Sequence, residues 1–127
     1  MTAEHTDILI VGAGLAGARC AEALRAGGHD GRIIIAGEEP HPPYERPALS
    51  KELLVGSRSA PELALREPGF WAARGIELRP GARIDALDLH GRRAVAGPHE
   101  FRWTTLVVAT GVRARRLPGL DGLPGIH

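Results

Sequence analysis

The chain has 127 residues, 43% hydrophobic, 24% charged and 4% aromatic, with 16 basic against 15 acidic side chains and a net charge of +1, the profile of one ordinary folded domain and not of a disordered, fibrous or disulfide-stapled chain. Its charges are interspersed, which excludes the basic footprint of a nucleic-acid binder or a polybasic membrane anchor, and a single cysteine, Cys20, excludes an internal disulfide and dithiol chemistry. No apolar run is long enough to span a bilayer, and the first residues carry Glu4 and Asp7 instead of a basic leader, so the expected location is cytoplasmic.

Residues 7–11, Asp-Ile-Leu-Ile-Val, form a short β-branched run that reads as a strand buried on both faces, as in a parallel sheet. Small and apolar residues at helical spacing follow over 14–27 (Leu15, Ala16, Ala18, Ala21, Ala23, Leu24), closed by Gly27-Gly28 as a helix stop. A second apolar strand at 32–36 completes a βαβ unit with parallel, adjacent strands and a right-handed crossover. Residues 39–47 hold four prolines in nine positions, which predicts an extended, rigid excursion. Short helical pieces are expected at 49–54, 61–65 and 68–74, with Phe70 and Trp71 as packing residues, then a third parallel strand at 76–78. Short segments at 84–89, 94–96 and 101–103, separated by His90-Gly91 and Gly97-Pro98, suggest an antiparallel meander. Thr105-Leu106-Val107-Val108-Ala109 reads as one more buried strand, ended by Thr110-Gly111 and a Pro- and Gly-rich tail. The fold class expected is α/β, a Rossmann-like βαβ parallel sheet with an antiparallel β-meander.

The turn between the first strand and helix is Gly12-Ala13-Gly14-Leu15-Ala16-Gly17, a GxGxxG pattern in the context its mechanism requires. Gly12 permits the tight turn, Gly14 lets the backbone approach a pyrophosphate, and Gly17 allows close packing of helix on strand, with the helix amino-terminal amides facing the phosphates. Glu38, just past the second strand and 21 positions beyond Gly17, is placed to accept hydrogen bonds from a ribose hydroxyl pair. The pattern implies a dinucleotide and leaves FAD and NAD open, since both present an ADP half to this unit.

Pro43-Tyr44-Glu45-Arg46-Pro47-Ala48-Leu49-Ser50-Lys51 resembles the PYxRPPLSK signature of the FAD-dependent ferredoxin reductases that serve oxygenases, within the pyridine nucleotide-disulfide oxidoreductase superfamily. Ala48 replaces the second proline. Val107-Val108-Ala109-Thr110-Gly111 is similar to the strand and ATG turn that close this family's first FAD segment, and Leu117-Pro118-Gly119 to the piece after it. The resemblance implies that Gly12, Gly14, Ala16 and Gly17 hold the FAD pyrophosphate, Glu38 the adenosine ribose, and Ile84 the adenine through its backbone. Arg46 would lie along the cofactor, Ala109, Thr110 and Gly111 would close the site, and Lys51 would reach the isoalloxazine near N5 as the catalytic cation. Lys51 is the only lysine among the basic residues. Without the resemblance it reads as a solvated side chain of a short helix, and Arg46 as the partner of Glu39 or Glu45 in a loop ion pair. The six histidines show no ligand-like spacing, so no metal is expected. Cys20, Trp71 and Trp103 read as packing residues, and Arg113, Arg115 and Arg116 as solvated arginines or, alternatively, a docking patch for an acidic ferredoxin.

What the resemblance further implies is electron passage from NAD(P)H through FAD to ferredoxin or a similar iron-sulfur protein. Family members of that activity are about three times as long, and only one GxGxxG is found here. The expected organisation is therefore an incomplete FAD/NAD(P)-binding domain: residues 1–111 as the first segment of the FAD domain and 112–127 as a linker toward an absent NAD(P)H-binding domain. The alternative is a truncated FAD- or ADP-binding module without turnover. A sheet lacking its later strand should expose an edge, which predicts self-association or pairing with a complementing chain.

Overall fold

In the computed structural model, which describes residues 3–112 with Pro118, Gly119 and Pro124, the first apolar run forms β1 (Ala3–Val11), longer at its start than its hydrophobicity suggested. The helix α1 (Leu15–Ala26) and the strand β2 (Ile33–Ala36) complete the βαβ unit. The proline-rich stretch is neither helix nor strand. It is tied down by Glu45 N–H donating to Leu63 O at 2.8 Å and Leu65 N–H donating to Pro43 O at 3.0 Å. A 3-10 turn (Pro47–Ser50), α2 (Glu52–Val55), a second 3-10 turn (Ala60–Leu63) and α3 (Phe70–Ala73) lead to β3 (Ile76–Arg79). Then come β4 (Ala86–Asp88), β5 (Arg93–Ala96) and β6 (His99–Val108). Among the described residues no helix is long and apolar enough to cross a membrane.

The six strands form one sheet in the order β3-β2-β1-β6-β5-β4. β3, β2, β1 and β6 are parallel, with Ile8 beside Ile33 and Thr105, and Ile33 beside Ile76. β4, β5 and the first part of β6 form the antiparallel meander. Alternation along the strands sorts the core into two clusters. Ile8, Ile10, Ile33, Ile35 and Ile76 face α1 through Ala18 and Ala21, and α3 through Trp71, with Cys20 partly buried against them. Leu9, Val11, Ile34 and Ala36 pack with Ala94, Ala96, Phe101 and Trp103. Leu9, Ile10 and the Ile33–Ile34–Ile35 run are fully buried, each side chain stabilising the fold by about 1.5–3 kcal/mol relative to exposure. Cys20, Trp71 and Trp103 are thus packing residues, as expected.

One expectation is corrected. The segments at 101–103 and 105–109 are not two strands: Thr104 carries the chain straight through, and β6 runs unbroken for ten residues. Its first part pairs with β5 only as far as Arg102, while from Glu100 to Val108 it lies along β1. Beyond that point no strand flanks its outer edge among the described residues, so Thr104 and Thr105 are exposed and Val108 is 61% exposed. The expected buried strand is therefore buried only on the side of β1.

Polar side chains fix the register of this frame. Thr6 Oγ1, fully buried, donates to Arg32 O at 2.8 Å. Arg32 pairs with Glu77 (2.6 Å) and Glu4 (2.9 Å), and Arg79 with Glu4 (2.9 Å) and Glu77 (3.1 Å), bridging β1 and β3 across β2. Arg25, at the end of α1, donates to the carbonyls of His29, Gly31, Arg74 and Gly75 and so clamps the helix to the turns before β2 and β3. Arg113, Arg115, Arg116 and Leu117, with most of the expected linker, lie outside the described residues.

Candidate functional site

The carboxyl ends of β1, β2 and β6 meet at one point, since the chain leaves β1 toward β2 on one side and β6 returns on the other. This is the switch-point crevice where open α/β sheets take their ligands. Backbone bonds hold the three ends together: Gly12 N–H donates to Ala36 O and Ala109 N–H to Val11 O, both at 2.8 Å. Above them opens a cleft of about 780 Å³. It brings together Gly12, Gly14, Ala16, Glu38, Arg46, Ile84, Ala109, Thr110 and Gly111, nine of the positions singled out in the sequence.

The glycines do different work. Gly12 has φ +118°, and a Cβ on it would collide with the carbonyl of Ala109. Gly17 sits beneath the cleft, where a Cβ would strike the carbonyl of Gly12 and Ile10 Cγ2. Both are demanded by the protein's own packing. Gly14 is not. It has φ −81° and ψ −167°, extended backbone open to any residue, and a Cβ there would meet only Arg46, Nε at 3.7 Å and Nη2 at 3.9 Å, ordinary contact. It is the N-cap of α1, which has no side-chain cap and no acidic residue in its first turn. The first-turn amides, left without intrahelical acceptors, therefore face the cleft and suit an anion.

Lys51 is not brought to this cleft. It lies exposed at the N-cap of α2, and the lining residues do not include it. Arg46 does line the cleft, and it forms the ion pair with Glu39 that the sequence offered as its alternative role, Nη2 to Oε1 at 2.6 Å. Tyr44 joins the pair. Its hydroxyl donates to Glu39 Oε2 at 2.7 Å and accepts from Arg46 Nη1 at 3.0 Å, while the guanidinium stands 5.0 Å from the ring centroid. The Tyr44 hydroxyl bond and Arg46 hold the Glu39 carboxyl below the usual carboxylate range, and partial burial together with Glu39 pushes the Tyr44 phenol up. Across the cleft Arg83 approaches Glu38 at 3.7 Å.

Sequence reasoning missed Gly37, Glu39, His41, Tyr44 and Arg83 as lining residues. Tyr44 lay inside the quoted signature and Glu39 beside Glu38, so proximity in sequence was the available signal. Arg83 enters because Ala82 N–H donates to Gly37 O at 2.7 Å and Gly81 N–H to Glu39 O at 2.9 Å, contacts between distant segments.

Residues 6–127 match the pyridine nucleotide-disulphide oxidoreductase family. The chain is 40% identical over 122 residues to the biphenyl dioxygenase system ferredoxin–NAD(+) reductase component of Paraburkholderia xenovorans, covering 94% of this chain and 30% of that one. It is 37% identical to the putidaredoxin reductase of Pseudomonas putida, over 95% of this chain and 29% of that protein. Among solved structures, the covalent putidaredoxin reductase–putidaredoxin complex superposes with a TM-score of 0.84 at 36% identity, covering 92% of this chain and 28% of that one. The chain thus spans about 30% of the length of the relatives it matches. Strand order, glycine turn and family match agree, and the chain belongs to the pyridine nucleotide-disulphide oxidoreductase family.

Proposed function

We propose that this chain is the FAD-binding part of an NAD(P)H-dependent reductase of the ferredoxin-reductase type. Gly14 carries the reading: neither backbone strain nor packing calls for a glycine there, and its side-chain-free backbone beside Arg46 leaves room for a ligand to approach closely. A diphosphate fits, because uncapped amides, a guanidinium and an open loop converge on it.

In this reading Gly12, Gly14, Ala16 and the end of α1 hold the pyrophosphate, and Gly17 keeps the helix close enough to aim its amides. Glu38 accepts from the ribose hydroxyls, Ile84 meets the adenine through its backbone, and Ala109–Thr110–Gly111 form the floor after β6. Arg46 supplies planar donors to phosphate or ribose oxygens. Lys51 is assigned to the isoalloxazine end, where its charge favours a reduced, anionic flavin. FAD, when bound, supplies hydride acceptance and electron release to an iron-sulfur carrier. Residues 1–111 form the binding unit and 112–127 lead toward an NAD(P)H-binding part. The partners are NAD(P)H and a ferredoxin, the latter suggested by relatives named as ferredoxin and putidaredoxin reductases.

One observation favours a second reading. Lys51 stands outside the cleft, which suits a module that holds the ADP half of a cofactor without turnover. Titrating FAD into the purified chain, with ADP as competitor, separates the two. A shifted, structured flavin band that ADP only partly reverses supports a site extending to the flavin. Full displacement by ADP from an unperturbed flavin supports the module, and no binding of either refutes both.

A further inference from the structure

We infer that Glu39 and Tyr44 are positioning residues for Arg46: they hold its guanidinium over Gly14 before any ligand arrives, so that the cleft selects a diphosphate and not merely a nucleoside. This rests on the diphosphate reading of the cleft and adds to it the residues that make Arg46 a fixed donor.

The observations are geometric. A guanidinium has five N–H donors in one plane, and Arg46 spends one on Glu39 Oε1 (2.6 Å) and one on the Tyr44 hydroxyl (3.0 Å). Nε is the guanidinium atom nearest the position of a Gly14 side chain, so the Nε–H, taken by neither Glu39 nor Tyr44, stays available on the side of the glycine loop. Tyr44 is itself anchored. Its hydroxyl donates to Glu39, and its backbone bridges to Ala64, next to the buried Leu63. Arg46 and Glu39 are each about half exposed, where a lone ion pair contributes little to stability. The three-membered arrangement instead restricts a long side chain that would otherwise sample many rotamers, and an ordered donor loses less on binding.

Tyr44 is the only tyrosine in the chain, so its ionisation can be followed by ultraviolet absorbance without any ligand. In the free protein, Glu39→Gln should bring the phenol titration back toward the ordinary value. A Tyr44 titration indifferent to Glu39→Gln would overturn the proposal. Binding of ADP and of adenosine is then compared for the wild-type chain, Tyr44→Phe, Glu39→Gln, Arg46→Met and the Tyr44→Phe/Arg46→Met double variant. The expected result for Tyr44→Phe is about three- to tenfold weaker ADP binding, unchanged adenosine binding, and no further loss in the double variant. Equal losses for ADP and adenosine, or additive losses in the double variant, would show a merely structural role and overturn it. So would tighter ADP binding by Glu39→Gln, since Glu39 would then be a competitor for Arg46. A wild-type chain that binds neither ADP nor FAD would defeat the diphosphate reading and this proposal with it, whereas failure of the variant pattern alone leaves the diphosphate reading standing.

Discussion

Replacing Gly14 by alanine separates what the fold needs from what the ligand needs. The backbone there is extended, and the new methyl would sit 3.7 Å from Arg46 Nε, so no strain is introduced. Alanine is a poorer N-cap than glycine by about 0.5–1 kcal/mol, and it restricts the unfolded chain by about 0.4–1 kcal/mol in the opposite sense. The two nearly cancel, and the free protein should melt within about 4 °C of wild type. On the ligand side, the methyl occupies the path by which a diphosphate reaches the first amides of α1. Loss of one hydrogen bond to a charged oxygen costs about 1.5–3 kcal/mol, so Kd for ADP or FAD should rise about 10- to 100-fold. Calorimetric titration with ADP, beside a thermal melt of the free protein, reads both quantities. Wild-type affinity in Gly14→Ala would refute the assignment of the diphosphate to this loop, as would a loss of affinity accompanied by an equal loss of fold.

Gly12→Ala should behave in the opposite way, because its φ of +118° and the Ala109 carbonyl leave no room for a side chain; a destabilisation of about 3 kcal/mol or more is expected in urea unfolding. Gly17→Ala should likewise lose stability before it loses any ligand contact, by pushing α1 off the carbonyl of Gly12. Lys51→Met should leave ADP affinity unchanged and lower the affinity ratio of FAD over ADP, read by competition; an unchanged ratio would remove Lys51 from the site. The Arg32 hydrogen bond, reinforced by Arg79, holds the Glu77 carboxyl below the usual range. A depressed folded pKa gives stability that is present above the unfolded value of about 4.3 and is lost as pH falls through the folded value. Urea unfolding of Glu77→Gln should therefore differ from wild type most at neutral pH, with the gap closing on acidification below about pH 4.

The βαβ unit and its turn were legible because their signals are local. β-branched runs at 7–11 and 32–36, small residues at helical spacing between them and GxGxxG at the junction each constrain the backbone over a few residues. Gly12 and Gly17, where conformation or backbone packing excludes a side chain, belong to that same stretch. Glu38 was legible for a related reason: the length of the unit brings the end of the second strand beside the turn, and the structure places Glu38 on the cleft.

What the sequence by itself determined, then, was the parallel βαβ frame, the meander and the end of the sheet at which the cleft opens, all consequences of backbone preference and periodic burial. Only the tertiary structure decided that 99–108 is one strand serving both sheet regions, because that depends on where β5 stops pairing and β1 continues. It alone decided that Arg46 is held by Glu39 and Tyr44 while Lys51 lies outside the cleft. Side-chain partnership of this kind is set by how a proline-rich excursion without regular hydrogen bonding is pinned to the rest of the fold. Those pins, Pro43 to Leu65 and Glu45 to Leu63, join residues that carry no mark of each other in the sequence.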